Sequence, residues 1–136
     1  MRSKLSKLKK LLRKSDDIAF DISAGNEEAK FVLKYGSIKV GTLVAKDGKW
    51  KFEYDSEFKH QDELKPIVDF PNINRKYESR DLWPFFLVRI PSPEQPQIDQ
   101  LLQEENLNKD NPVQMLKRFG QRSIANPFEL IACEHF

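Results

Sequence analysis

Few residues in this sequence have types and spacings that support chemistry. His60 and His135 are far apart, and the single cysteine, Cys133, stands two residues before the second of them. A metal site needs several donors that converge, yet neither a C-x-x-C nor an H-x-x-x-H spacing occurs. No metal and no cofactor is expected. Cys133 with His135 reads as a small terminal residue near a sheet, not as a catalytic pair. The run Gly36-Ser37-Ile38-Lys39-Val40-Gly41-Thr42 superficially looks like a phosphate loop, but Thr42 stands where the lysine belongs. The run also enters a strand, whereas a phosphate loop must lead into a helix N-terminus. The carboxylate pairs Asp62-Glu63 and Glu104-Glu105 lie in polar stretches and read as solvated surface. Catalysis is not expected.

Aromatic residues carry more information. Leu82, Phe85, Phe86 and Arg89 fall at i, i+3, i+4 and i+7, while Trp83, Leu87 and Ile90 fall at i, i+4 and i+7. On a helix these are two stripes about 100° apart. One stripe suffices for packing on a sheet. The second is either covered by another helix or turned outward, with Trp83 as an anchor for a protein partner, a role in which Trp is enriched. The spacing leaves both readings of Trp83 open; Phe85 and Phe86 read as core.

Several elements must hold this stretch. Phe31, Leu33 and Tyr35 alternate with Val32 and Lys34, and Gly36-Ser37 turns the chain. Ile38, Val40, Thr42 and Val44 form a second strand, Asp47-Gly48 a two-residue hairpin turn, and Trp50, Phe52 and Tyr54 one face of a third. This is an antiparallel meander. Gly41 inside it predicts a bulge or a close approach by another element. Ile67–Phe70 reads as a short strand closed by Pro71, and 72–77 as a polar loop. A helix is expected over Leu82–Ile90, capped by Ser79 or Asp81 and stopped by Pro91-Ser92-Pro93. A second runs from about Gln95 to Leu107. A third has Asn111 as cap, Pro112 at its first position and Gly120 at its C′ position. A strand over 128–132 closes the chain. Strands, then helices, then a strand give an α+β fold: a small, mostly antiparallel sheet with about three helices on one face.

The 136 residues make one domain's worth of chain. Hydrophobic residues supply only 39%, but ten Phe, two Trp and three Tyr offer large buried areas. Charge is uneven. Arg2, Lys4, Lys7, Lys9, Lys10, Arg13 and Lys14 are seven of the 23 bases, with no acid among residues 1–14. The remaining sixteen bases face 21 acids. Leu5, Leu8, Leu11 and Leu12 have helical spacing, so residues 1–17 form a basic amphipathic extension and 18–136 the domain. Ile18–Ser23 reads as a further strand. Lys4, Lys7, Lys9, Lys10, Arg13 and Lys14 are candidates for phosphate contact, although the domain shows no recognition motif. A membrane-surface helix is the lower-ranked alternative. Packing of these leucines on the domain or on a partner weighs as much as both. No apolar run approaches the ~20 residues of a membrane span, and neither an export signal nor a glycosylation acceptor is found. A lone cysteine agrees with a reducing cytoplasm.

From about residue 30 to 130 the chain resembles the N-terminal subdomain of HipA-like kinase toxins. The resemblance rests on Val40-Gly41-Thr42-Leu43, Phe52-Glu53-Tyr54, Lys65-Pro66-Ile67 and Tyr77-Glu78-Ser79. It continues through Leu82-Trp83-Pro84-Phe85-Phe86, Ile90-Pro91, and Asp110 through Met115-Leu116 to Gly120. The chain departs from that pattern at Val88-Arg89-Ile90-Pro91-Ser92-Pro93, where the family has Asn-x-Leu-Pro-Glu-Gly. In the family the ATP site and catalytic Asp belong to the later, larger part of the kinase. The resemblance therefore implies a non-catalytic protein-binding module similar to the free-standing HipS antitoxin, which binds and blocks the shortened kinase HipT. A HipB-like helix-turn-helix protein, and DNA through it, are further implied partners; a membrane is not. The alternatives are a structural subunit of a split kinase and an accessory protein that binds nucleic acid through the basic tail. Trp83, Leu87, Arg89, Ile90 and Ser92 are the expected partner-binding residues.

Overall fold

The computed structural model describes residues 27–123 and 126–133. The meander forms as its sequence predicts. β1 (Ala29–Tyr35), β2 (Ile38–Lys46) and β3 (Lys49–Tyr54) pair antiparallel in succession. Asp47 and Gly48, at φ 55° and 75°, provide the two positive-φ positions of a type I′ turn. β4 (Tyr77–Ser79) adds to β3 and β5 (Glu129–Cys133) adds to β1, giving the order β4-β3-β2-β1-β5.

Strand alternation separates the two faces. Phe31, Leu33, Leu43, Ala45, Trp50, Phe52, Tyr54 and Leu130 point into the core. On the other face Lys30, Val32, Thr42, Val44, Lys51 and Glu53 remain half-buried or exposed. The pairing slips between Leu33 and Lys34, so that Leu33 faces Gly41 but Lys34 faces Lys39 and Val40 is the extra residue. A side chain at Gly41 would place its Cβ 2.6 Å from the Glu53 carbonyl oxygen and 2.7 Å from Phe52 Cζ. Bulge and close approach therefore occur together at this glycine.

The core is closed by Phe58 of α1 (Ser56–Lys59), Phe86 of α2 (Pro84–Leu87), and Val113 and Leu116 of α4 (Pro112–Phe119). Helices thus cover one face, as expected of this α+β fold. α3 (Pro96–Glu104) buries Leu102. It stops earlier than its periodicity predicts, because Asn106 adopts φ 55°. Leu107 N–H then bonds the Leu102 carbonyl at 2.8 Å and Asn106 N–H the Gln103 carbonyl at 3.2 Å, a Schellman ending. α4 starts as expected: Asn111 accepts the Gln114 N–H and Pro112 holds the first position. Its end differs. Gly120 is right-handed at φ −81°, and glycine is required there because a Cβ would lie 2.4 Å from the Leu116 carbonyl oxygen.

Three further expectations are corrected. Residues 67–70 form a turn rather than a strand, with Phe70 N–H bonded to the Ile67 carbonyl at 2.8 Å. The Tyr54 hydroxyl holds this turn by accepting the Ile67 N–H and donating to the Phe70 carbonyl, at 2.8 and 2.7 Å. Tyr77–Ser79, too short to show alternation, is a strand. The helix expected over Leu82–Ile90 is a single turn, Pro84–Leu87, since a residue before proline is disfavoured in helical geometry and Pro91 follows closely. Neither Ser79 nor Asp81 caps it. Trp83 is the N-cap, without a side-chain bond, and Asp69 reaches across from the 67–70 turn to accept the Phe85 N–H at 2.9 Å. The expected N-terminal helix and the strand at 18–23 lie outside the described residues.

Candidate partner-binding surface

α2, its N-cap and the turn after it carry the five expected contact residues, and the structure divides them. Phe86 is fully buried. Trp83 is half-buried, its ring edge-on to Phe70 with centroids 4.9 Å apart. It therefore packs against the core while part of its surface stays accessible, so the two sequence readings of Trp83 are not exclusive.

Arg89 turns inward. It is 4% exposed. Nη1 donates to the carbonyls of Gly120 and Gln121 at 3.0 and 3.4 Å, and Nη2 donates to Asn126 Oδ1 and the Phe128 carbonyl, both at 2.9 Å. The guanidinium carbon lies 5.7 Å from the Phe85 ring centroid. Burial lowers its pKa from the usual arginine value. These partners are neutral oxygens, a geometry for which the planar guanidinium fork is suited. The expectation that Arg89 faces a partner is thus corrected: it fastens α2 to the segment joining α4 and β5. Its place on the Leu82–Phe85–Phe86 stripe was the available signal.

The other expected residues line one groove. Leu87, Ile90, Pro91, Ser92 and Pro93 meet Pro112 and Met115 of α4 around a space of about 450 Å³, edged by Glu94, Lys109 and Asp110. On the opposite flank of α2 lies a second depression of about 470 Å³, lined chiefly by Pro66, Val68, Pro84, Phe85, Val88 and Phe128. Val68 is 92% and Val88 60% exposed. Sequence reasoning missed both valines. Val68 was assigned to a strand, and Val88 could be placed only once the helix was known to be one turn long. α2 is therefore a ridge between two apolar depressions, and its exposed tip is Val88.

Two other depressions, of about 360 and 570 Å³, lie around Thr42, Val44 and Glu53 on the outer face of the sheet, among charged side chains. Among the described residues no three His, Cys, Asp or Glu side chains are placed to hold a metal. His60 Nδ1 lies 2.8 Å from the Ser56 carbonyl at the end of α1. Gly36 sits at φ 59° in the β1–β2 turn, so the glycine run there is a hairpin. Among the described residues no helix is long and apolar enough to cross a membrane. Lys4, Lys7, Lys9, Lys10, Arg13 and Lys14 lie outside the described residues.

No curated protein matches this chain. The family model described as the HipA N-terminal domain matches residues 32–125, from within β1 to beyond α4. That span is more than half of the chain and includes most of the meander, α2 and the groove between α2 and α4, so the chain belongs to the HipA N-terminal domain family.

Proposed function

We propose that this protein is a non-catalytic binding module, an antitoxin that docks on a HipT-like Ser/Thr kinase through the α2 ridge and inhibits it. One observation supports this most: two apolar depressions flank a helix whose tip, Val88, is 60% exposed. Exposed apolar clusters of this kind mark interaction sites. Trp83, Leu87, Ile90 and Ser92 remain contact residues in this reading, Val68 and Val88 join them, and Arg89 acts by holding α2 in place. A HipB-like protein, and DNA through it, would complete the assembly.

The test is co-expression with a candidate shortened HipT-like kinase from the same genome. A stable complex with growth rescue supports the antitoxin. A complex without rescue assigns the chain as a structural subunit of a split kinase. If no complex forms, the reading fails.

A further inference from the structure

The helices cover one face of the sheet; among the described residues none covers the other. Strand alternation puts two cross-strand rows on that open face. In one row Lys30 of β1 stands opposite Val44 of β2, which stands opposite Lys51 of β3. In the next, Ile131, Val32, Thr42 and Glu53 follow one another across four strands. Apolar side chains therefore lie between and beside lysines, and Ile131 at the β5 end is 37% exposed.

Two depressions on this face share Thr42, Val44 and Glu53. One, of about 360 Å³, is flanked by Lys51 and Lys76, and the other, of about 570 Å³, by Lys30 and Lys59. Among the described residues none of these four lysines forms an ion pair. Two of the acids beside them are already engaged. Glu78 Oε2 lies 2.9 Å from Lys49 Nζ. Asp55 Oδ1 lies 3.4 Å from Lys39 Nζ, and its other oxygen accepts the Glu57 N–H. Among the described residues Glu53 is the one acid of these linings without a basic partner, so positive charge is in surplus.

That surplus selects the occupant. The same face of a second copy would set lysines against lysines. The two rows hold neither an arginine to grip a phosphate bidentately nor an aromatic ring to stack on a base, which disfavours a nucleic acid. Lys30 and Lys51 stand two strand spacings apart, about 9.6 Å. Residues i and i+7 of an α-helix are separated by nearly the same distance, roughly 10.5 Å, with i+3 and i+4 on the same side between them.

We infer that the open face of the sheet docks an acidic amphipathic helix of a partner protein, with carboxylates on Lys30 and Lys51 and apolar side chains on Val32 and Val44. This surface is separate from the α2 ridge and does not depend on the antitoxin reading.

The test uses the full chain, carbon-13-labelled at its isoleucine and valine methyl groups. It is titrated with a helical peptide bearing Glu at i and i+7 and Leu at i+3 and i+4. A control peptide carries Lys in place of both Glu. The acidic peptide should shift the Val32, Val44 and Ile131 methyl resonances saturably and leave those of Val68 and Val88 in place. Lys30→Gln with Lys51→Gln should weaken its binding by roughly fivefold, with the melting temperature unchanged. Added salt should weaken it further. Absence of shifts at millimolar peptide overturns the inference. So do equal shifts from the control peptide, undiminished binding by the double variant, or tighter binding of a DNA oligonucleotide to the same methyl groups. No kinase enters the measurement, so its failure is distinguishable from failure of the antitoxin reading.

Discussion

Arg89 donates from Nη2 to the Phe128 carbonyl at 2.9 Å, and this bond fastens the turn after α2 to the segment entering β5. The same side chain serves the carbonyls of Gly120 and Gln121 and the amide of Asn126. Replacing it with methionine preserves much of the volume but leaves several oxygens without donors. Arg89→Met should cost about 2–4 kcal/mol in urea unfolding, since each orphaned buried group costs about 1–3 kcal/mol. Lysine cannot reproduce the fork, so Arg89→Lys should recover only part of the loss. Equal stability of all three proteins would show the bonds to be unimportant.

Val88 tests the surface without disturbing the core. Val88→Asp should leave the melting temperature nearly unchanged, since surface substitutions usually fall within about 0.5 kcal/mol. It should weaken kinase binding by about 2 kcal/mol, roughly thirtyfold, as measured by calorimetry. Trp83→Ala should do both: weaken binding and cost about 2–3 kcal/mol of stability, because its ring packs edge-on against Phe70. If Val88→Asp binds normally, the interface lies elsewhere.

The pH dependence of unfolding should report Tyr54. Burial, opposed by the Ile67 hydrogen bond, raises its pKa from 10.0 to about 12. Above pH 10 the unfolded chain loses the phenol proton while the folded protein keeps it. Stability contributed by this group is therefore complete below pH 10 and falls as pH rises toward 12. Tyr54→Phe should lower stability at neutral pH by about 1–2 kcal/mol, because the Ile67 N–H and Phe70 carbonyl lose their partner. It should also flatten the alkaline decline. A decline of the same slope in the variant would assign it to other groups.

Gly41→Ala should destabilise the sheet by about 1–3 kcal/mol through overpacking against the Glu53 carbonyl and the Phe52 ring. Thermal unfolding followed by near-ultraviolet circular dichroism would detect it, as the Phe52 ring lies stacked on Phe70. An unchanged transition would mean that the strands shift to make room.

Local signals made the sheet legible. Asp47-Gly48 demanded a type I′ turn, and Trp50, Phe52 and Tyr54 alternated cleanly with Lys49, Lys51 and Glu53. The caps Asn111 and Pro112 were equally local. What sequence reasoning missed depends on distant partners. The cap of α2 comes from Asp69, sixteen residues upstream. The turn at Ile67–Phe70 is held by Tyr54. Arg89 is buried by oxygens that lie more than thirty residues later. The groove residues Leu87 and Ile90 were found from helical spacing, yet Val88 needed the true length of α2 and Val68 the turn at Ile67–Phe70. Order and spacing of the family motifs compensated for much of this.

The pairing of β1 with β5 joins Lys30 to Cys133, more than a hundred positions apart. Closing so large a loop is entropically slow. A ribosome making this chain will therefore have emitted the whole meander and α1 to α4 before β1 gains its outer neighbour. Until then that edge offers unpaired amides to any passing strand. Assembly of the finished sheet is thus a late event, completed only once the last strand is free to return to the first.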